Sequence, residues 1–198
     1  MPKYTSYHLL FLIVLVSLLS FKPREQTRYY SVELFGSVVG EIKIVEKLLD
    51  AKKVEYSFYS EAEAELFFIK TKTKAHTKLI YESGFLNSGY VLRKKNDDVQ
   101  ELTYQWNEGK YEIVNNGKKS TESKKISYCS ANFFFSEPIG IKEVYIERFN
   151  YFVAIQDLGN HQYLTKVDGG TNLYTYKNGV LVSLKSKKGV SVFMRLKE

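Results

Sequence analysis

The chain has 198 residues and a formal net charge of +7, and 44% of its residues are hydrophobic and 15% aromatic. This length suits one domain that buries its own core, and a composition with 16 tyrosines and 13 phenylalanines excludes an intrinsically disordered chain. The lone cysteine, Cys129, excludes an internal disulfide framework, so packing must stabilise the fold.

Residues 1–20 have the features of a signal peptide. Lys3 gives the short polar start a positive charge, and a largely apolar run occupies residues 9–19. Because a membrane-spanning helix needs about 20 apolar residues, this run fits the hydrophobic region of a signal peptide better. Ser20 suits the last removed position, but Leu18 stands where a small residue is preferred, so retention as a membrane anchor is the alternative. We therefore predict export, to the periplasm or out of the cell.

The remainder, residues 29–196, has the pattern of a single β-rich domain. Apolar and polar residues alternate in several stretches, such as residues 30–34 and 54–58. This period of two is typical of strands with one buried face. Pairs such as Asn178-Gly179, which accept positive φ, mark the hairpin turns. A spacing of about 8–12 residues per strand predicts an antiparallel meander of about ten to thirteen strands.

The segment from Ala62 to Glu82 changes the phase of its alternation. Its acidic residues occupy odd positions before Leu66, whereas its lysines occupy even positions from Lys70 onward. Since a slip of one residue exchanges the two faces of a strand, we predict a β-bulge or sharp bend between Leu66 and Lys70. At about 3.3 Å per residue, the whole segment is too long for a flat strand in so small a domain. The fold class predicted is therefore all-β, with a curled antiparallel sheet that forms a half-barrel or a barrel-like structure.

The second half of this segment supplies a candidate ligand site. Small or apolar residues alternate there with a lysine row, which we define as Lys70, Lys72, Lys74 and Lys78. Burial of an unpaired ammonium costs several kcal/mol, so we predict that the lysine row faces solvent. The residues predicted to face the concave side are Thr71, Thr73, Ala75, Thr77 and Leu79. The short Thr and Ala side chains would leave space on that side.

The lysine row has two interpretations. Regular positive charge along a strand can hold the phosphates of nucleic acid or of anionic lipid. Lysines on an exposed strand also discourage aggregation between sheet edges. Export makes nucleic acid the poorer partner, so contact with a membrane surface is the binding alternative. The acidic alternation at Glu61, Glu63 and Glu65 is interpreted as a solvated face.

The segment from Ser127 to Ile139 has the weakest strand pattern and is interpreted as a short helix or an aromatic-rich loop. Its three consecutive phenylalanines, Phe133, Phe134 and Phe135, argue against full exposure. The space beside the Thr and Ala side chains is therefore either a ligand site or the seat of these phenylalanines. The residue pattern leaves both alternatives open, so the three phenylalanines are candidate site residues as well.

Residues suited to catalysis or metal binding are few and scattered. Cys129 with His76 or His161 lacks an accompanying acid or oxyanion motif, so we interpret the cysteine as a core residue. Two isolated histidines supply no metal site. Gly36 and Gly40 lack the Lys-Ser/Thr pair that would follow in a phosphate-binding loop. We predict no catalytic residue, no metal and no cofactor.

Three stretches of the chain resemble an uncharacterised family of exported proteins from Bacteroidota, known as domain of unknown function 6134. They read Tyr30-x-Val32-x-x-Phe35-Gly36-x-x-x-Gly40-x-Ile42, Phe135-Ser136-Glu137-Pro138 and Asn172-x-Tyr174-x-Tyr176-x-Asn178-Gly179-x-Leu181. The resemblance spans about residues 29–196. It implies a β-rich fold similar to the curled half-barrels of periplasmic lipoprotein carriers, and it assigns no activity and no functional residue.

Two functions of different classes follow from these patterns. The first is a non-enzymatic envelope protein that binds a lipid or another hydrophobic ligand in its concave sheet. The alternative is a structural or interaction protein whose own side chains fill the sheet. An apolar cavity of about 300 Å³ or more inside the fold would favour the first. An enzyme is not expected, because it would need a cleft with converging polar groups.

Overall fold

The structure is a computed structural model that describes residues 24–66 and 69–197. The predicted signal peptide, residues 1–20, lies outside the described residues, so export stays a prediction. Within the described ranges the chain forms fourteen strands and one 3-10 helix, Ser130–Phe134. The strands are β1 (Glu25–Leu34), β2 (Ser37–Leu48), β3 (Lys53–Leu66), β4 (Ile69–Glu82), β5 (Phe85–Lys95), β6 (Asp98–Asn107), β7 (Lys110–Asn115), β8 (Lys118–Glu122), β9 (Glu143–Ile146), β10 (Tyr151–Gly159), β11 (Gln162–Val167), β12 (Gly170–Lys177), β13 (Val180–Lys188) and β14 (Val190–Leu196).

All the strands belong to one antiparallel sheet that does not close. Two meanders, β1 to β8 and β9 to β14, join where β1 pairs with β14 and Val32 lies opposite Met194. This leaves β8 and β9 as the edges. The predicted all-β fold class is confirmed, but the strands outnumber the ten to thirteen expected. The sequence of β8, Lys-Lys-Ser-Thr-Glu, contains no apolar residue, so alternation could not reveal that strand.

Glycine is required at two places in the sheet, for two different reasons. At the turn between β12 and β13, Asn178 and Gly179 have φ angles of 53° and 75°. Positive φ at both central residues defines the type I′ hairpin turn that the sequence predicts. Gly40 instead allows close approach, because a Cβ there would lie 2.3 Å from the carbonyl oxygen of Glu61 on β3. These glycines therefore set the register and spacing of the sheet.

The break predicted between Leu66 and Lys70 is present, but it is a reversal of the chain. β3 ends at Leu66, β4 begins at Ile69, and the two strands pair antiparallel with these residues opposite each other. Each odd-numbered residue of β3 is consequently opposite an even-numbered residue of β4, as Glu63 is opposite Lys72. Opposite residues share one face of a sheet, which explains the change of phase. The expected bulge or bend within one strand is therefore wrong.

The interior of the curled sheet has two parts. The filled end lies near the turn between β12 and β13 and contains the 3-10 helix, which forms where the sequence predicts a short helix or loop. Phe133 of this helix is fully buried and stacks on Tyr174, with the ring centroids 4.0 Å apart. The cavity end lies toward the turns that join β1 to β2 and β3 to β4. One end of the interior is thus packed with side chains, and the other end is an open cavity.

Candidate functional site

A cavity of about 490 Å³ occupies the cavity end of the interior. Strands from both meanders line it, and most of its wall is apolar. Representative wall residues are Val32 on β1, Phe58 on β3, Val91 on β5 and Met194 on β14. A largely apolar cavity with a few polar groups is the usual form of a small-molecule site.

The structure brings four of the predicted concave residues together in the cavity wall. Thr71, Thr73, Ala75 and Thr77 all line it, on the face opposite the exposed lysine row. Leu79 faces the same side but lies deeper, where it is fully buried in the core. The orientation of β4 is therefore as predicted, while ligand binding by these residues stays a prediction.

The cavity exists because small residues lie opposite small residues across β3 and β4. Thr71 lies opposite Ala64, and Thr73 lies opposite Ala62. Farther along the same pair of strands the partners become large, as where Leu79 lies opposite Tyr56. Side-chain volume therefore increases along the hairpin, from open space near the turn to a packed core.

The three phenylalanines do not fill this cavity. Phe134 packs edge-on against Tyr30, with ring centroids 5.2 Å apart, and it lines a smaller adjoining cavity of about 340 Å³. Phe135 is half-buried beside Tyr56. Phe133 belongs to the filled end. The space beside the Thr and Ala side chains is therefore not the seat of the phenylalanines, and its use as a ligand site stays a prediction.

Buried polar groups hold the 3-10 helix in place. The backbone N–H of Cys129 donates to Oδ1 of Asn132 at 2.7 Å, and the Tyr81 hydroxyl donates to the same oxygen at 3.1 Å. The Tyr176 hydroxyl donates to the carbonyl oxygen of Phe133 at 2.7 Å. Buried tyrosines normally find such partners. The helix is thus hydrogen-bonded to two separated strands, β4 and β12, and its residues Ser130 and Ala131 line the floor of the cavity.

Glu147 is a buried carboxylate at the floor of the cavity. It is 3% exposed, and its Oε2 accepts hydrogen bonds from Oγ of Ser130 at 2.5 Å and from the backbone N–H of Ser130 at 3.3 Å. The backbone N–H of Ala131 adds a longer bond of 3.4 Å to Oε1. Hydrogen bonding of this kind offsets the cost of burying a charge. Glu147 could not be predicted from the sequence, because a single acidic residue in a short strand-to-turn segment carries no pattern.

Two arginines, Arg93 and Arg148, line the same cavity. Arg93 lies opposite Gln100 in the β5–β6 pair, and the side-chain amide of Gln100 donates to the carbonyl oxygen of Arg148 at 3.1 Å. Partial desolvation lowers the pKa of Arg148, and the positive charge of Arg93 lowers it further. The sequence analysis also missed both arginines. Alternation with inward-facing Val91 is the one signal that could have placed Arg93 inside.

Cys129, His76 and His161 do not form a common site. Cys129 is fully buried, and burial together with the nearby Glu147 carboxylate raises the pKa of its thiol well above the ordinary value. His161 is exposed and contacts Glu137, with Nδ1 and Oε1 2.9 Å apart. His76 stacks on Tyr59 at the outer surface, with ring centroids 4.5 Å apart. Each residue has its own unrelated partners.

The lysine row is exposed and is paired with carboxylates on the neighbouring strand. Lys70 contacts Glu63 at 2.5 Å and Lys74 contacts Glu61 at 2.9 Å. The hydrogen bond from Lys74 also lowers the pKa of Glu61. Because these carboxylates offset much of the local positive charge, attraction to an anionic surface is reduced. Membrane contact through the lysine row stays a prediction.

Two features are absent from the described part of the chain. Across residues 24–66 and 69–197, no helix has the length and apolar character needed to span a membrane. The same ranges contain no group of three or more His, Cys, Asp or Glu residues arranged to hold a metal ion. The prediction that the protein needs no metal and no cofactor stays a prediction.

Comparison with known proteins supports the family resemblance and the fold. Residues 30–197 match a family model described as Domain of unknown function (DUF6134). The fold is similar to the crystal structure of a beta-barrel-like protein of domain of unknown function DUF1849 from Brucella abortus. That match has a TM-score of 0.55 and 12% sequence identity, and it covers 89% of this chain and 96% of the other. Among curated proteins there is no match. At this identity the structural likeness extends to the fold alone.

Proposed function

Since the chain belongs to the DUF6134 family, whose description assigns no activity, we propose a function from its cavity. The protein is a non-enzymatic carrier or receptor that holds a lipid or another hydrophobic ligand inside its curled sheet. The observation that carries this proposal is the apolar cavity of about 490 Å³ lined by Thr71, Thr73, Ala75 and Thr77. Its volume falls within the range of about 300–1,000 Å³ typical of small-molecule sites.

The cavity also argues against a sheet filled only by its own side chains. Protein interiors are normally close-packed, and unfilled apolar space costs stability. Larger residues on β4 would close the space, yet Thr and Ala occupy four successive inward positions. The 3-10 helix below the cavity is itself held by buried hydrogen bonds to Tyr81 and Tyr176. A ligand bound in the cavity would fill the space that these small residues leave.

The proposal includes export. Residues 1–20 are expected to direct the chain to the periplasm or out of the cell, and an uncleaved segment would anchor it to the membrane. An envelope location would bring the cavity near lipids. An origin in Bacteroidota, which the motif resemblance implies, belongs to the same proposal.

The test is to purify the protein from the envelope of its own host and to identify bound molecules by native mass spectrometry and lipid extraction. Thr73→Trp places a bulky ring in the cavity, so the variant should lose the co-purifying molecule while its circular dichroism spectrum is unchanged. Thr103→Trp makes the same substitution at an exposed position of β6 and should retain the molecule.

Binding of the neutral fluorescent probe N-phenylnaphthylamine provides a second readout on delipidated protein. We expect the wild type and Thr103→Trp to bind it and Thr73→Trp to bind it at least about tenfold more weakly, as steric filling of a site requires. A wild-type protein that carries no molecule and binds no probe would contradict the proposal and favour a structural or interaction protein.

A further inference from the structure

The wall of the proposed ligand cavity has one positively charged region, while the carboxylate of Glu147 at its floor is hydrogen-bonded to the 3-10 helix. Arg93 and Arg148 both line the cavity, whereas most of the remaining wall is apolar or bears a hydroxyl group. Arg93 is half-buried and Arg148 is exposed, which places this region where the cavity meets water. The bond from Gln100 to the Arg148 carbonyl oxygen fixes the backbone of Arg148 beside β6. The two guanidinium groups are therefore held near each other by the fold.

Neither arginine forms an ion pair with a carboxylate of residues 24–66 or 69–197. Asp168 and Glu147 have other partners. Asp168 pairs with Lys188 at 2.7 Å, and the Glu147 carboxylate is directed to the 3-10 helix. Asp98 and Asp168 act on Arg148 only through longer-range attraction.

Arg148 also contacts an aromatic ring. Its guanidinium carbon lies 4.8 Å from the ring centroid of Phe149. A cation–π contact stabilises the positive charge but leaves the planar N–H donors free to bind oxygen anions. Two neighbouring guanidinium groups without carboxylate partners repel each other, and a bound anion would remove this repulsion.

From this arrangement we infer that the ligand is a single-chain anionic amphiphile, whose carboxylate or phosphate head is bound by Arg93 and Arg148 and whose acyl chain occupies the apolar cavity. This inference rests on the proposed function and specifies its ligand. A single chain suits this cavity, because its volume of about 490 Å³ lies within the range of small-molecule sites. Guanidinium groups match carboxylate and phosphate oxygens in bidentate geometry.

The test measures displacement of N-phenylnaphthylamine from delipidated protein by ligands that share a palmitoyl chain. Palmitate and monopalmitoyl phosphatidic acid carry the two anionic heads, and monopalmitoyl glycerol is the neutral comparison. We expect at least one anionic ligand to bind about tenfold or more tightly than the neutral one, as charge-assisted hydrogen bonds would produce. The preferred anionic ligand identifies the head as carboxylate or phosphate.

The variants Arg93→Gln and Arg148→Gln should each weaken the preferred anionic ligand by about tenfold and leave monopalmitoyl glycerol unchanged. Lys94→Gln removes the same charge from the adjacent residue, which is exposed on the other face of β5, and should change neither affinity. Arg93→Lys keeps the charge and replaces Arg93→Gln if that variant does not fold. Arg93→Lys should lose part of the preference for the anionic ligand over monopalmitoyl glycerol, because lysine lacks the planar, bidentate guanidinium group.

The outcomes separate this inference from the proposed function. Equal binding of anionic and neutral ligands, or arginine variants that behave like Lys94→Gln, would overturn the anionic head while the hydrophobic carrier stands. Displacement of the probe by inorganic phosphate alone would also overturn the single-chain ligand. If neither the probe nor any of the three lipids binds, the proposed function itself is wrong.

Discussion

Cys129 lies immediately before the 3-10 helix, and its side chain is fully buried. Its neighbours are Tyr81, Asn132 and Glu147, which belong to the polar network that fixes the helix. Burial and the Glu147 carboxylate both raise the pKa of the thiol. Only the thiolate is a strong nucleophile, so the neutral, buried thiol is chemically inert. These contacts agree with the interpretation of Cys129 as a core residue.

We predict that iodoacetamide alkylates Cys129 in the native protein at least about a hundredfold more slowly than in urea-unfolded protein at the same pH, because reaction requires local opening. Intact-protein mass spectrometry measures the rate. Thr103→Cys places a second thiol on the exposed face of β6 and should react rapidly in the native state. Rapid double alkylation of native Thr103→Cys would show that Cys129 is accessible.

At the scale of elements, the pairing of β3 with β4 shows which structural features the alternation of residue types along the sequence can predict. The odd-to-even change of phase predicted a break correctly, but a bulge and a chain reversal exchange the faces in the same way. Alternation therefore could not distinguish them, while the orientation of Thr71 and Thr73 followed from the charges of their neighbours. Arg93 and Arg148 belong to elements far apart in the sequence. They meet only in the tertiary fold, where Gln100 lies opposite Arg93 and donates to the Arg148 carbonyl oxygen, so no local pattern predicts that pair.

The 3-10 helix should contribute to stability through its buried aromatic residues. Phe133→Ala removes a ring that is fully buried against Tyr174, and we expect it to lower the free energy of unfolding by about 3–5 kcal/mol. Phe135→Ala is the matched control in the same segment and should cost less, because Phe135 is only half-buried. Urea denaturation measures both. Equal, small effects would show that the helix is not part of the cooperative core.

At the scale of the whole molecule, side chains bridge the gap where the sheet does not close. Lys124, which follows β8, pairs with Glu143 of β9 at 2.5 Å. The Asn150 side-chain amide donates to Oγ of Ser120 at 3.3 Å. Strand edges are prone to pairing with other chains, and these contacts link residues at or beside the two edge strands to each other. The sheet is thus held in a curled form around its interior without a closing ladder of backbone hydrogen bonds.

The many buried tyrosines of this interior should make stability sensitive to alkaline pH. Burial raises the pKa of both Tyr30 and Tyr174 to about 12, whereas an unfolded tyrosine titrates near about 10. Between these values the unfolded state binds fewer protons than the native state, so the free energy of unfolding falls as pH rises from about 10 to 12. Tyr174→Phe keeps the ring and removes one titrating group. Urea denaturation over this pH range should therefore show a slope reduced by up to about 1.4 kcal/mol per pH unit, and an unchanged slope would show that Tyr174 ionises normally in the native state.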